Sequence, residues 1–153
     1  MGVGKTTVCR ELQKRLDRSV FLDGDWCWDA HPFQVTEETK TMVLENICFL
    51  LNNFLRCPAY DYVIFCWVLH QQAILDDLRS RLNTRDCQVR AVSLVTSPEV
   101  LTARLEADIR AGRRDRDALA RSLPYLPLYD GLCTEKLDSS RLSPAEAAAC
   151  LLP

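Results

Sequence analysis

Apolar positions along the chain change period in a regular way. From Thr6 to about Leu16, Val8, Leu12 and Leu16 recur at four-residue spacing with polar residues between them, the pattern of a helix with one buried stripe. Ser19-Val20-Phe21-Leu22 follows as a short buried strand, ending in the sharp turn Asp23-Gly24-Asp25-Trp26. Trp26 to Val35 shows no period and reads as a loop. Thr36 is placed to cap a helix whose first turn holds Glu37 and Glu38. Val43, Ile47, Leu50 and Phe54 share one face of that helix, which ends near Arg56, before Pro58. Tyr62 to Val68 is a continuous apolar run rich in β-branched and aromatic residues, suited to a parallel strand covered on both faces.

A helix from His70 to Leu82 carries Ile74, Leu78 and Leu82 on one stripe, and Val89 to Thr96 makes the next strand. Ser97-Pro98-Glu99 is a cap, a proline at the first helical position and an acid in the first turn. Leu101, Leu105 and Ile109 give that helix its buried face. A short helix reaches about Leu123, Pro124 and Pro127 mark a break, and Thr134 to Leu137 is the last strand. Ser143 with Glu146 forms a capping box that opens the terminal helix. Strands and helices alternate throughout, with no repeats and no linker. The expectation is one α/β domain over residues 1–153, a parallel sheet with helices on both faces.

Composition adds limits. The 153 residues carry a formal charge of -2, so a general nucleic-acid or acidic-membrane role has no electrostatic footprint. No long apolar span or signal peptide is visible, and the expected compartment is the cytosol. Eight cysteines are many for this size, but no C-x-x-C pair occurs, so zinc spacing is absent. Cys48, Cys66 and Cys150 sit in apolar runs and are expected to be small buried hydrophobes. A secreted disulfide scaffold is disfavoured, because such chains are short, loop-rich and signal-bearing.

The chemistry concentrates at Gly2-Val3-Gly4-Lys5-Thr6-Thr7, the second half of the phosphate-loop pattern G-x-x-x-x-G-K-[ST]. Glycines let the backbone curl so that successive N–H groups converge on anionic oxygens, and the following helix adds its positive N-terminus. In that frame Lys5 reaches the β- and γ-phosphates, the Thr6 hydroxyl holds Mg²⁺, and Thr7 meets the α-phosphate. The first glycine of the pattern falls two residues before Met1, and the strand that should feed the loop is expected to be missing.

Asp23 and Asp25 stand at the carboxyl end of a strand, the edge where open α/β sheets bind ligands. One could serve Mg²⁺ and the other accept the proton of a substrate hydroxyl; the alternative is a solvated turn. Arg104, Arg110, Arg113, Arg114, Arg116 and Arg121 could form a mobile lid around Gly112, at about 110–121, that closes over phosphates. Glu106, Asp108, Asp115 and Asp117 are interleaved, so a salt-bridged surface competes with that reading. His70 either touches substrate or merely starts a helix. Trp26, Trp28, His31 and Phe33 make either an aromatic acceptor pocket or core.

These residues together resemble the P-loop kinases of small molecules, the group of shikimate, gluconate and nucleoside monophosphate kinases and chloramphenicol phosphotransferase. G-V-G-K-T-T is similar to that group's loop and F-L-D-G-D to its strand-end D-x-D, where Asp25 would bind the acceptor. L-x-x-R around Arg104 and the arginine-rich stretch resemble its lid. L-D-S-S-x-L-S-P-A-E-A, Leu137 to Ala147, is similar to its last strand and helix, whose loop, with Ser139, packs near adenine. The resemblance implies a three-layer P-loop NTPase fold, AAA ATPase-like in its nucleotide site. It implies ATP and Mg²⁺ as cofactors, with Thr6 and Asp23 on the metal and Lys5, Asp25, Arg104 and Arg114 in catalysis. Gly2, Val3, Gly4, Lys5, Thr6, Thr7, Arg113, Arg121 and Ser139 would bind the nucleotide. The implied partners are ATP and a small-molecule acceptor, with neither nucleic acid nor membrane. A departure is the third strand's end, Val68-Leu69-His70, which lacks an acid and disfavours a motor ATPase; no guanine-binding [NT]-K-x-D run occurs. The competing expectation is a vestigial, non-catalytic nucleotide-binding protein, truncated at its N-terminus.

Overall fold

The computed structural model describes residues 2–153, and helix and strand alternate along it. Helix α1 (Lys5–Gln13) buries Val8, Cys9 and Leu12. It stops short of Leu16 because the Ser19 hydroxyl donates to the carbonyls of Gln13 and Leu16, occupying acceptors that a longer helix would use. Strand β1 (Ser19–Asp23) runs parallel to β2 (Tyr62–Cys66), with Ser19 opposite Tyr62 and Asp23 opposite Cys66. Helix α2 (Glu37–Arg56) joins them; its Thr36 cap and Thr39 exchange hydrogen bonds in a capping box. Then come α3 (Gln72–Ser80), β3 (Val92–Val95), α4 (Pro98–Arg110), α5 (Ala118–Ser122), β4 (Glu135–Asp138) and α6 (Pro144–Ala149). The expected Ser143–Glu146 capping box opens α6.

The alternation of side chains along a strand makes the layers. Phe21, Ile64 and Cys66 point to one face, packing with Val8, Cys9 and Leu12 of α1 and Ala147 and Ala148 of α6. Leu22, Val63 and Phe65 point to the other, packing on Val43, Ile47, Cys48 and Leu51 of α2 and Leu78 of α3. A third cluster sets Val3 on Leu101 and Leu105 of α4, with Leu94 of β3 against it. Leu94 also touches the first cluster, so the two halves share a core. The fold is the three-layer α/β type expected.

The sheet itself differs from one continuous array. Among the described residues, β1 pairs with β2 and β3 with β4, both parallel, in two separate ribbons. The division falls between β2 and β3. Strand lengths differ from the apolar pattern for the same reason: a strand runs only as far as its partner. The ladder to β1 ends at Asp23–Cys66, so β2 stops there and not at Val68. Val92 is the first β3 residue with a β4 partner, Glu135, and Val89 is exposed.

Other local corrections are smaller. In α3 the buried pair is Leu75 and Leu78, so the stripe is rotated from the expected Ile74. The expected loop after β1 begins as a 3-10 turn, Gly24–Trp28, too short to show a helical period. Cys150 is exposed, whereas Cys48 and Cys66 are buried as expected. No helix of the described residues is long and apolar enough to cross a membrane.

Candidate functional site

The N-terminal loop has the backbone its glycines permit. Gly2 and Gly4 have φ of 80° and 93°, a region costly for any residue with a Cβ. At Gly2 a Cβ would also lie 2.6 Å from Leu105 Cδ2. The loop is therefore pressed onto α4, with Val3 buried against Leu101 and Leu105. Gly4 is the N-cap of α1 and has no side chain to accept from the first turn. The amides of Lys5, Thr6 and Thr7 start a helix that no side chain caps, the arrangement in which an anion substitutes for the cap.

Asp23 lies beside that loop at the end of β1 and is 4% exposed. Its Oδ2 accepts from Thr6 Oγ1 at 2.6 Å, and its Oδ1 accepts from the Asp25 amide at 3.1 Å. The second bond caps the 3-10 turn, which holds Asp23 buried and leaves Asp25 exposed. Burial, and then the neighbouring Asp23 charge, raise the Asp25 pKa above its ordinary value. Lys5, a hydrogen bond from Trp67 and the charge of Arg114 work against that rise. Lys5, Thr6, Asp23, Asp25 and Arg114 thus act on one small region.

Trp67 is the residue the sequence reading missed. A Cβ on Gly24 would sit 2.4 Å from Trp67 Cγ, so the indole rests directly on the Gly24 backbone. From there it acts on Asp25, whose pKa it lowers. The available signal was position: Trp67 follows β2 at the same carboxyl edge as the D-x-D.

The arginines divide into different environments. Arg104 is drawn inward: Nη1 donates to Val3 O at 3.3 Å and Ser139 Oγ at 3.4 Å, and Nη2 to Ser139 O at 2.8 Å. Ser139 is 2% exposed, and its hydroxyl donates to Val95 O. The pair clamps the phosphate loop to the turn after β4, and in this arrangement neither side chain is turned outward. Arg113 and Arg114 both pair with Asp108, at 2.9 and 3.2 Å, and Arg121 pairs with Asp117 and Asp115. Arg110 pairs loosely with Glu106 at 3.9 Å. The interleaved acids therefore hold Arg110, Arg113 and Arg121 in ion pairs, and Arg114 is the one whose charge also reaches Asp25.

Of the aromatic residues, Trp28 packs against the core cluster on α2. Trp28 stacks on Phe33 at 4.9 Å, and Trp26 meets Phe21 edge-on at 5.2 Å with Arg10 over both rings. Trp26 and Phe33 are largely exposed. His70 packs edge-on against Tyr125 at 4.5 Å, and burial lowers its pKa. Its Nδ1 is buried with no hydrogen-bond partner.

Thr6 and Asp23 offer a hydroxyl and a carboxylate oxygen within one hydrogen bond of each other. Such a set suits Mg²⁺, which takes few protein oxygens and completes its shell with phosphates and water. Among the described residues no group of three or more His, Cys, Asp or Glu is placed to hold a metal unaided.

Residues 1–121 match the AAA domain family. The chain belongs to that family. No curated protein sequence matches this AAA domain protein, but several solved structures do. The tunicamycin resistance protein of Deinococcus radiodurans superimposes with a TM-score of 0.73 at 19% identity, over 98% of this chain and 87% of that one. A gluconokinase from Sinorhizobium meliloti gives 0.67 at 20% identity, over 99% and 88%. A sugar kinase from a Janibacter species gives 0.67 at 17% identity, over 99% and 87%. At these identities the likeness is one of fold, and the fold is that of the P-loop small-molecule kinases.

Proposed function

We propose that this protein transfers the γ-phosphoryl group of ATP to a hydroxyl or phosphate of a small molecule. The observation that carries the reading is the Thr6–Asp23 hydrogen bond at the mouth of an uncapped, glycine-curled helix start, with Asp25 set beside it. Mg²⁺, when bound, supplies charge neutralisation and orientation for the phosphates. Thr6 and Asp23 are the residues that hold it. The amides of Val3 to Thr7 bind the phosphate oxygens, and Lys5 orients the β- and γ-phosphates and offsets their charge. Asp25 binds the acceptor hydroxyl and accepts its proton at a carboxylate oxygen; its raised pKa suits a base. Arg114 stabilises charge on the equatorial oxygens once its bond to Asp108 is exchanged for one to phosphate. Arg113 and Arg121 follow with the rest of the lid, and Arg104 and Ser139 fix the loop from behind and border the adenine side.

The names of the similar structures, a gluconokinase and a sugar kinase, make polyhydroxylated compounds the first acceptors to try. The exposed Trp26 and Phe33, with the partly buried Trp28 stacked on Phe33, add aromatic faces on which a sugar or base can stack. The test is ADP release from ATP·Mg²⁺ across a panel of sugars, sugar acids and nucleosides, using wild type, Lys5→Ala and Asp25→Asn. Acceptor-dependent turnover lost in both variants supports the reading. Nucleotide binding without turnover on any acceptor, equal in wild type and Asp25→Asn, would remove transfer from it.

A further inference from the structure

Helix α4 ends in a turn that folds two arginines back onto the helix itself. The Gly112 amide donates to Ile109 O at 3.0 Å and the Arg113 amide to Asp108 O at 2.9 Å, the paired bonds of a Schellman stop. Such a stop needs a left-handed residue just past the helix. Gly112 supplies it with a φ of 68°, and a Cβ placed there would meet nothing within 4 Å. The glycine therefore serves the backbone and not the packing. The turn it makes brings the next two side chains to one carboxylate. Arg113 Nη2 and Nε lie 2.9 and 3.0 Å from Asp108 Oδ1, and Arg114 Nε donates to Asp108 Oδ2 at 3.2 Å. Each carboxylate oxygen is taken by a different arginine.

Asp108 stands on the face of α4 that meets the phosphate loop. Leu101, Arg104, Leu105 and Asp108 follow the spacing of a single helical face. Val3 packs on Leu101 and Leu105, and Arg104 Nη1 donates to Val3 O; Asp108 is one turn beyond Arg104. A negative charge in the last turn of a helix opposes the helix dipole, so the arginines, and not the helix, are what Asp108 serves. The two are held unequally. Arg113 has two side-chain bonds and its amide in the helix stop, whereas Arg114 has one longer bond. Arg114 is also the more sheltered, its side chain 34% exposed against 64% for Arg113. Arg114 is thus the arm that yields first.

We propose that Asp108 is a positioning residue for ATP: it holds the Arg114 guanidinium as a phosphate would, and gives it up to the γ-phosphate. A carboxylate and a phosphate offer a guanidinium the same fork of oxygens, so the exchange needs no new side-chain geometry. The larger charge of the phosphate drives it. Once the phosphoryl group has moved to the acceptor, Asp108 takes Arg114 back and the lid opens for product release. Asp108 therefore weakens the hold on ATP and has less effect on ADP, which lacks the phosphate that competes with it.

The exchange rests on the transfer reading above, whereas the pairing of Asp108 with its two arginines does not, and two measurements separate them. Calorimetry of Mg²⁺·ATP and Mg²⁺·ADP on wild type, Asp108→Asn, Arg114→Gln and the double variant tests the exchange. Limited trypsin digestion of wild type and Asp108→Asn, mapped by mass spectrometry, tests the pairing. The expected result is roughly twofold to fivefold tighter ATP binding in Asp108→Asn, the worth of an exposed ion pair, with ADP affinity changed less. In the Arg114→Gln background that gain disappears. Trypsin must take the arginine side chain into its own pocket, so cleavage after Arg113 and Arg114 speeds up in Asp108→Asn, measured against Arg85 on the loop after α3. Asp108→Ala replaces Asp108→Asn if that variant does not fold. ATP binding unchanged or weakened, an equal gain for ADP, or a gain that survives in the Arg114→Gln background overturns the proposal. If wild type binds no ATP, the exchange falls with the transfer reading, and trypsin rates that do not change would remove the pairing as well.

Discussion

Thr6 Oγ1 donates to Asp23 Oδ2 at 2.6 Å, joining the first turn of α1 to the end of β1. A hydroxyl so bonded turns its lone pairs away from the carboxylate, and under the proposed function the two oxygens serve one cation. Thr6→Val and Asp23→Ala should each remove the Mg²⁺-dependent part of ATP affinity, and the double variant should be little worse than either. Losing a hydrogen bond to a charged group costs about 1.5–3 kcal/mol, so roughly a tenfold or larger loss is expected in each single variant. Calorimetry with Mg²⁺ and with EDTA measures it. Fully additive losses would mean the two residues do not share a ligand.

Asp25 carries a cost in the folded state that its role explains. Burial and the Asp23 charge raise its pKa above 3.8, so the folded protein binds that proton more tightly than the unfolded chain does. The sign follows: the destabilisation is fully present above the raised pKa and disappears as pH falls toward 3.8. Asp25→Asn should therefore melt higher than wild type at neutral pH, with the gap closing in acid, while kcat collapses and ATP affinity holds. An unchanged melting temperature at pH 7 would argue that the carboxylate is not under strain.

The indole of Trp67 packs on Gly24 and lowers the Asp25 pKa, and two substitutions separate those roles. Gly24→Ala forces a Cβ into the ring and should cost about 1–3 kcal/mol, as overpacked sites do. Trp67→Phe keeps the ring but loses the N–H. Because the indole N–H lowers the Asp25 pKa, the acid limb of the pH–rate profile should move up. A profile that stays in place would leave Trp67 with packing alone.

Arg104 satisfies Val3 O, Ser139 O and Ser139 Oγ from one guanidinium. Arg104→Ala leaves these partly buried acceptors unpaired, at about 1–3 kcal/mol. A lysine at that position should recover only part, since a single ammonium cannot reproduce the planar fork. The urea midpoint should fall with the slope unchanged.

Local rules made much of this molecule legible. The Thr36 and Ser143 caps and the α4 stripe of Leu101 and Leu105 depend on residues within a few positions of each other, and all stand as read. What was not legible depends on distant partners. The lengths of β2 and β3 are set by where β1 and β4 end. The inward turn of Arg104 is set by carbonyls at residues 3 and 139. The lid arginines looked alike in sequence, and only the position of Asp108 separates Arg114 from Arg121.

The division of the sheet yields the last prediction. Among the described residues β2 and β3 are each paired on one side alone, yet Ile64 and Cys66 of β2 are buried and Leu94 of β3 packs against the same cluster. The open edges therefore flank a shared core, where an unpaired polar group costs about 1–3 kcal/mol. A few such groups match the whole stability of a typical domain, about 5–15 kcal/mol. Exposed edges also recruit other chains. Residues 1–153 alone should thus melt broadly and self-associate, as scanning calorimetry and sedimentation can show. A five-residue β-branched segment placed ahead of Met1, as long as β1, can enter between the ribbons and pair with both. It should sharpen the transition, raise its midpoint and strengthen ATP binding, while a proline-containing segment of equal length should do none of these. The argument fails if the 153-residue chain melts cooperatively as a monomer with tight ATP binding and gains nothing from the added strand.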